Sequence, residues 1–177
     1  MMLSMKEAMR QELVRLRLMT EAEYAEYEPY VIADYAQRNV AAGTFTQGEA
    51  MERARTDFAK LLPQGASTAD NYLHAVEDPS GERVGNLWYA IRRSAGNTTA
   101  FILNMEIFAE HQGRGFGRGL LHACAQDAAG HGARAVEIQI LGSEDEKRSL
   151  FRSVGMLEKR IVMTWNLKDS GEVEGER

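Results

Sequence analysis

The sequence predicts an α+β domain in which a mixed, mostly antiparallel sheet is flanked by helices and carries one βαβ crossover. Apolar and polar residues alternate or recur at helical spacing in the order strand, two helices, three strands, helix, strand, helix, strand. Short turn sequences join the three central strands, as in an antiparallel meander. The 177 residues show no repeat and no break in composition. We therefore expect one domain over residues 1–177, with a core over about 13–167 and flexible ends at 1–12 and 168–177.

The first strand and the first two helices are predicted from alternation and from helix-start signals. Apolar residues alternate with charged ones, as in a half-buried strand, at Val14, Leu16 and Leu18. Two pairs have the spacing of capping boxes that begin helices, Thr20 with Glu23 and Thr46 with Glu49. Pro29 should break or kink the first helix, because proline lacks an amide hydrogen. Pro63 should end the second.

The remaining elements follow from turn sequences, glycines and periodicity. Three strands are predicted at YLHAVE, RVGNLWYAIRR and TTAFILNMEIF, joined by DPSG and SAGN. After a glycine run, LLHACAQDAA is predicted as a helix, in which Cys124 is interpreted as a small buried hydrophobe. A strand from Ala135 to Leu141 follows. Next come a helix opened by Ser143 with Glu146 and a last strand marked by Ile161, Met163 and Trp165.

Charge and composition exclude several classes of protein. The net charge of −5 argues against nucleic acid as the main partner, since that affinity needs clustered lysine and arginine. A mildly acidic surface favours cationic small molecules or basic peptides. The sequence has no signal peptide and no membrane-spanning run, so we expect a cytoplasmic protein without a membrane partner. Its four histidines lack metal-ligand spacing, and we expect no metal site.

The stretch QGRGFGRGLL, which begins at Gln112, carries the strongest functional signal. Glycines between a strand and a helix let the backbone approach a ligand and expose the first amides of the helix. Together with the helix dipole they predict an anion site, and pyrophosphate is the expected guest. The alternative is a tight turn without a ligand. The glycine spacing fits neither the dinucleotide fingerprint nor the P-loop, so both nucleotide interpretations are excluded.

Two segments resemble the landmarks of the GNAT superfamily of acyl-CoA-dependent N-acetyltransferases. Residues 112–117, with the sequence QGRGFG, resemble its Q/R-x-x-G-x-G/A signature, which follows a strand and opens a helix. The later stretch VEIQILGSEDEKRSLFRSVGM resembles its second landmark, in which an L-Y pair lies on a helix. Leu150 and Phe151 stand at that pair. The order of predicted elements is also similar to the GNAT fold over roughly residues 13–167.

The resemblance implies acetyl-CoA as cosubstrate, bound between the strand that ends at Phe108 and the strand from Ala135 to Leu141. Pantetheine would pair with the strand around Ile107, Phe108 and Ala109. Further cofactor contacts are expected from the helix that follows the strand from Ala135 to Leu141, at Glu144, Lys147 and Phe151. The pyrophosphate would meet the glycine run, whose members are Gln112, Gly113, Arg114, Gly115, Phe116, Gly117, Arg118 and Gly119.

The activity implied by the resemblance is direct transfer of an acetyl group from acetyl-CoA to a primary amine of a small molecule or peptide. Deprotonating a lysine-like amine near neutral pH costs about 4.6 kcal/mol, which makes the base the demanding role. Glu106, just before the glycine run, is the first candidate base, and Glu137 on the adjacent strand across the expected gap is the second. His111 is interpreted as a solvated loop residue.

Two alternatives stay open. Phe151 stands where the family has a tyrosine that acts as the acid. Either another group or water protonates the thiolate, or the thiolate leaves unassisted, or the chain is a non-catalytic acyl-CoA-binding or sensor module of the same fold. A metabolite-binding protein unrelated to CoA would follow if the glycine run is only a turn. Many relatives dimerise, and the sequence leaves a homodimer open.

The resemblance to the GNAT superfamily implies that the acceptor amine contacts the N-terminal helices and the loops that face the gap. The segment LLPQGASTADN and two acidic residues, Asp34 and Asp57, belong to this region. So does a tyrosine-rich helix with Tyr24, Tyr27, Tyr30 and Tyr35.

Overall fold

A computed structural model describes residues 13–140 and 145–159. Within these ranges the sheet has five strands in the order β1-β2-β3-β4-β5. Strands β1 to β4 pair antiparallel, and β5 runs parallel to β4. The strands are β1 Arg15–Leu18, β2 Asn71–Glu77, β3 Arg83–Ser94, β4 Asn97–Ile107 and β5 Ala135–Ile138. The predicted mixed sheet with one parallel crossover is therefore confirmed.

Four helices flank this sheet in the described ranges, in the order that the sequence predicts. Helices α1 and α2 lie between β1 and β2, α3 forms the crossover from β4 to β5, and α4 follows β5. The helices are α1 Glu21–Ala41, α2 Ala50–Leu61, α3 Phe116–Gly130 and α4 Asp145–Ser153. Two short 3₁₀ turns occur at Gly65–Ser67 and Ala109–His111. Residue Ser143 of the third capping box and the last predicted strand lie outside the described residues.

Helix α1 begins as predicted but does not break. The Thr20 hydroxyl accepts the Glu23 amide at 3.2 Å, and the Glu23 carboxylate accepts the Thr20 amide at 2.8 Å, which completes the capping box. The expected break at Pro29 is wrong, since the helix runs through it. Proline removes only one helical hydrogen bond here, and Tyr27 and Val31 on either side of it are buried and keep both halves of the helix packed.

Helix α2 begins later than its predicted capping box. The Glu49 carboxylate accepts the Thr46 amide at 3.3 Å, but Glu49 itself is the N-cap and the helix starts at Ala50. Residues 47–49 form turns instead of the first helical turn. The predicted capping box thus locates the start of α2 to within about one helical turn, but it does not identify the first helical residue.

Each face of the sheet carries its own core. On one face, Trp88 and Leu73 pack with Tyr27 and Val31 of α1 and with Phe58 of α2. On the other face, α3 and α4 contribute side chains to the larger core, which includes Leu87, Tyr89, Leu120, Cys124 and Phe151. Because Cys124 is fully buried in this core, the interpretation as a small hydrophobe is confirmed. None of the described helices is both long and apolar enough to cross a membrane.

Candidate active site

Strand β5 pairs along its whole length with the first part of β4 only, and the space beside the rest of β4 on this side, where no described strand pairs with it, is called the gap. The pairing runs from Thr99 with Ala135 to Ile102 with Ile138. Strand β4 then continues to Ile107, and no described strand pairs with it on this side. The register of β3 against β4 shifts between Trp88 and Tyr89, a bulge that makes the β4 strand bend at this point. With respect to the strands of the described ranges, the second half of β4 therefore has a free edge.

The free edge of β4 presents backbone hydrogen-bonding groups to the gap. The amide of Phe108 donates to the carbonyl of Val84 in the neighbouring chain segment at 2.9 Å. Since peptide groups alternate along an antiparallel strand, those of Ile107 and Met105 point away from β3. The Gln112 side chain donates to the Ile107 carbonyl at 2.9 Å. Of the three residues expected to pair with pantetheine, Ile107 thus directs its peptide groups toward the gap. The Phe108 amide instead donates its hydrogen bond to Val84.

The glycine loop ends in the N-terminus of α3. Gly115 is the N-cap with φ +86°, and Gly113 has φ +74°, a conformation that side chains rarely adopt. No acceptor within the described ranges meets the amides from Gly113 to Gly117, whereas those of Arg118 and Gly119 both donate to the Gly115 carbonyl at 3.2 Å. A Cβ added at Gly113 would meet nothing within 4 Å. These amides and the helix dipole suit a pyrophosphate group.

The third glycine of the loop, Gly117, is needed for a different reason, which is the close packing of α3 on α4. A Cβ added at Gly117 would lie 3.1 Å from the Cδ2 atom of Leu150, so this glycine lets α3 approach α4 closely. Phe116 beside it is buried, and the guanidinium of Arg114 lies 4.9 Å from the centre of its ring. The loop is therefore anchored on the core at Phe116, with backbone amides on its outer side.

The interpretation of His111 as a solvated loop residue is wrong. The side chain is buried, with its ring edge-on to Phe116 and its Nδ1 atom 3.3 Å from Arg114. Its Nε2 atom lies 3.7 Å from a carboxylate oxygen of Glu82. The 3₁₀ turn at this point folds the histidine under the glycine loop, so it supports the loop rather than facing the gap.

Glu106 lies near the end of the free edge of β4 and faces α1. Its Oε1 atom accepts the hydroxyl of Tyr30 at 2.5 Å, and its Oε2 atom accepts the side-chain amide of Asn86 at 3.4 Å. Asn86 in turn accepts from Arg83 Nη2 at 2.6 Å. A Cβ at Gly85 would lie 2.1 Å from the Glu106 carbonyl oxygen, so only glycine permits this approach of β3. The carboxylate is thus held from both sides beside the gap.

Glu137, the second candidate base, is not brought together with Glu106. It lies opposite Phe101, where β4 and β5 are still paired, rather than across the gap. Five residues of strand, about 15 Å, separate this position from Glu106. Lys159 Nζ lies 3.2 Å from the Glu137 carboxylate. The expectation that Glu137 lies across the gap is therefore wrong, because Glu137 belongs to the residues of β5 that pair with β4.

The remaining residues that were expected to contact the cofactor or the acceptor lie in different surroundings. Glu144 lies outside the described residues. Lys147 is exposed on α4, and Phe151 is buried in the core beneath it. The two acidic residues considered for the acceptor are engaged, since Asp34 pairs with Arg38 at 2.9 Å and Asp57 accepts the Tyr35 hydroxyl at 3.3 Å.

Sequence reasoning missed the residues that hold Glu106. Asn86 and Arg83 carry no motif, and only the register of β3 on β4 could have placed them there. Tyr30 was one of four tyrosines without a signal to separate them. Within residues 13–140 and 145–159, no group of three or more His, Cys, Asp or Glu side chains could hold a metal ion.

Comparisons with known proteins decide the family. The family model described as "Acetyltransferase (GNAT) family" matches residues 18–156, which include the glycine loop and both sides of the gap. The chain belongs to this family. It is a GNAT N-acetyltransferase, and the family uses acetyl-CoA.

Two relatives from Bacillus subtilis (strain 168) match nearly their whole length. The chain is 27% identical to the uncharacterized N-acetyltransferase YycN over 87% of this chain and 99% of YycN. The crystal structure of YycN has a TM-score of 0.82 and covers 87% of this chain and 98% of its own. The uncharacterized N-acetyltransferase YdgE is 23% identical over 82% of this chain and 92% of its own.

One more distant GNAT structure is informative about ligands of the fold. AAC(6')-Iy, solved in complex with the bisubstrate analogue CoA-S-monomethyl-acetylneamine, has a TM-score of 0.54 and 13% identity. The match covers 86% of this chain and 97% of that one. At this identity the likeness concerns the fold alone.

Proposed function

We propose that this GNAT acetyltransferase transfers an acetyl group directly from acetyl-CoA to a primary amine of a small molecule or peptide, with Glu106 as the base. One observation carries the proposal. The free edge of β4 places Glu106 directly before a loop of backbone amides that meet no acceptor in the described part of the chain. A carboxylate and an anion site therefore flank one gap.

The cofactor would be held mainly by backbone groups. The amides from Gly113 to Gly117 would bind the pyrophosphate, since they lie at the positive end of α3 and meet no acceptor in the described ranges. The peptide groups of Ile107 would pair with the pantetheine, in place of the hydrogen bond from Gln112. When bound, acetyl-CoA supplies the activated acetyl group as a thioester. The solved complex of AAC(6')-Iy with a CoA bisubstrate analogue supports this use of the fold.

The proposed task of Glu106 is to take a proton from the acceptor. An amine arrives as an ammonium, and it must lose its proton before its nitrogen can attack a carbonyl carbon. The Glu106 carboxylate attracts the ammonium and accepts that proton at one of its oxygens. Overall, the ammonium and the thioester give an acetamide, a free CoA thiol and one proton. We propose Glu106 rather than Glu137 because only Glu106 borders the gap.

Phe151 motivates a second candidate function. The ring is buried and has no proton to give to a leaving thiolate, so this position does not supply an acid. A protein with the same fold that binds acyl-CoA without turnover would be compatible with this residue. The two functions differ in one measurable property, the release of free CoA thiol.

The test is an assay of CoA thiol release from acetyl-CoA with a panel of primary amines. The panel includes an aminoglycoside, a polyamine, a lysine-containing peptide and a peptide with a free α-amine. Release that depends on an added amine, above the rate without amine, supports the transferase. Binding of acetyl-CoA without release for any amine contradicts it and favours the binding module.

A further inference from the structure

The four tyrosines of α1 have four different surroundings. Tyr24 donates its hydroxyl to Glu28 on the same helix, at 2.7 Å. Tyr27 is buried and donates to the Asn104 side chain at 3.1 Å, and Tyr35 packs edge-on against Phe58. Only Tyr30 reaches the carboxylate of Glu106, although its side chain is 48% exposed. One tyrosine of the four therefore connects α1 with the candidate base.

We propose that Tyr30 is a positioning residue of the acetyl transfer, which holds the Glu106 carboxylate toward the acceptor side of the gap. The inference rests on the proposed function, in which Glu106 is the base. It assigns to α1 a part in the chemistry, in addition to covering the sheet.

The contacts of Glu106 show why the tyrosine would matter. The Asn86 amide is 3.4 Å from Oε2, a long hydrogen bond, whereas the Tyr30 hydroxyl is 2.5 Å from Oε1. Glu106 is only half-buried, and its side chain has three rotatable bonds. Without the tyrosine hydroxyl, the carboxylate would keep one long hydrogen bond and could turn away from the gap. The short contact from α1 is thus the main restraint on its orientation.

Tyr30 can act only as a hydrogen-bond donor in this arrangement. Its hydrogen bond to Glu106 and its partial burial raise the pKa of Tyr30 to about 12. The phenol therefore keeps its proton at neutral pH, so it does not compete with Glu106 as a base. Nearly half of the side chain is exposed, so the ring contributes little to either core. Removal of the hydroxyl alone should leave the fold intact.

The test compares Tyr30→Phe with Tyr72→Phe, which removes one tyrosine hydroxyl from β2, where the Tyr72 ring stacks on Tyr89 and His131 on the opposite face of the sheet. Both variants are made in the wild-type protein and in the Glu106→Gln protein. For each, kcat and KM for the amine are measured by thiol release, and the dissociation constant of acetyl-CoA is measured separately. A residue that acts through another shows no additional effect once the other is removed.

The expected result is that Tyr30→Phe lowers kcat/KM for the amine by about 10-fold, the usual consequence of losing a hydrogen bond to a charged group. The dissociation constant of acetyl-CoA stays the same, Tyr72→Phe has no effect on kcat/KM, and Tyr30→Phe adds nothing in the Glu106→Gln background. The positioning role is overturned if Tyr30→Phe behaves like Tyr72→Phe or costs the same factor in both backgrounds. If wild type shows no amine-dependent turnover, the proposed function fails and this role fails with it.

Discussion

Two tyrosine–carboxylate pairs lie on opposite faces of the sheet. Tyr30 donates to Glu106 on the face covered by α1, and Tyr89 donates to Asp127 on the face covered by α3. The side chain of Tyr30 is 48% exposed, whereas that of Tyr89 is fully buried. The chemical groups are the same, so their surroundings decide what each pair can do.

The Asp127 pair belongs to a cluster that fastens α3 to the sheet. A carboxylate oxygen of Asp127 lies 3.5 Å from His74 Nε2 and 3.9 Å from His131 Nε2. The rings of Tyr72 and His131 stack at 3.9 Å, and those of Tyr72 and Tyr89 at 5.1 Å. Burial and the hydrogen bond to Asp127 raise the pKa of Tyr89 far above its ordinary value. The Asp127 carboxylate is about one-third exposed, but Tyr89 and the two histidines already contact it.

The two pairs differ in their position relative to the free edge of β4, which is the reason that Glu106, and not Asp127, is the proposed base. Asp127 lies twelve residues along the chain from the loop glycine Gly115, about 18 Å at the rise of a helix, and faces fully paired strands. Glu106 lies beside the gap and next to the glycine loop. We therefore expect substitutions at the Glu106 pair to affect activity and substitutions at the Asp127 pair to affect stability.

The largest expected effect is that of Glu106→Gln. The amide cannot accept the proton, and we expect kcat/KM for the amine to fall by about 10² to 10⁴, the usual range for a general base. The free energy of unfolding should change by less than about 1 kcal/mol, because the side chain is only half-buried and the amide keeps an acceptor for Tyr30. Thiol-release kinetics and chemical denaturation measure the two quantities. Wild-type kinetics would remove Glu106 from the mechanism.

Asp127→Asn should show the opposite pattern. The neutral amide weakens the contacts of Asp127 with the buried side chains of Tyr89 and His74, and we expect a loss of about 1–3 kcal/mol in the free energy of unfolding. The kinetics at a temperature where the variant is folded should remain those of wild type. A variant as stable as wild type but slow in acetyl transfer would contradict the comparison.

Gly115→Ala should weaken acetyl-CoA binding by about tenfold or more, since alanine is strained at φ +86° and would displace the loop amides. Gly132 after α3 is the matched control, because it has φ +85° and an added Cβ would meet nothing within 4 Å. Both variants carry the same backbone strain at opposite ends of one helix. Calorimetric titration with acetyl-CoA distinguishes them, and equal affinities for the two variants would remove the loop from the binding site.

The smallest expected effect is a pH dependence of stability caused by His74. Burial is the main reason that the pKa of His74 is lowered, with His131 acting in the same direction and Asp127 against it. The unfolded chain therefore takes up a proton at higher pH than the folded chain. Stability should fall as the pH drops below about 6.5, the ordinary value for histidine, until the folded value is reached.

The measurement is denaturant unfolding from about pH 7.5 to about pH 5, compared between wild type and His74→Gln. Glu23, whose pKa the hydrogen bond from Arg17 lowers to about 2, loses its stabilising charge only at lower pH and does not disturb this window. The wild-type slope should be steeper than that of the variant. Parallel curves would show that another group is responsible.

Much of the fold could be predicted from the sequence, because local signals and periodicity agree for most elements. The capping box at Thr20, the glycine run, and the strand and turn sequences of β2 to β4 each lie where the structure has the element. The prediction of a helix break at Pro29 was wrong because packing of the surrounding helix outweighs the loss of one hydrogen bond. The prediction that His111 is solvated was wrong because the sequence next to the glycine loop does not show that a 3₁₀ turn buries this side chain.

The site could be predicted in part. The glycine loop has a sequence pattern, since positive φ angles demand glycine at Gly113 and Gly115. The position of Glu137 could not be deduced, because the pairing of β5 with β4 depends on tertiary packing. The same holds for Tyr30 and Asn86, which meet Glu106 only through the packing of α1 and the register of β3.

The most direct test of the central claim is the thermal unfolding midpoint of the wild-type protein with and without acetyl-CoA. A ligand at about 100 times its dissociation constant adds roughly 2.7 kcal/mol of stability. For a chain of 177 residues, that corresponds to a rise of about 5–10 °C. We expect this rise with acetyl-CoA and none with NAD or ATP. No rise at saturating acetyl-CoA would contradict the assignment of the gap and the glycine loop as its binding site.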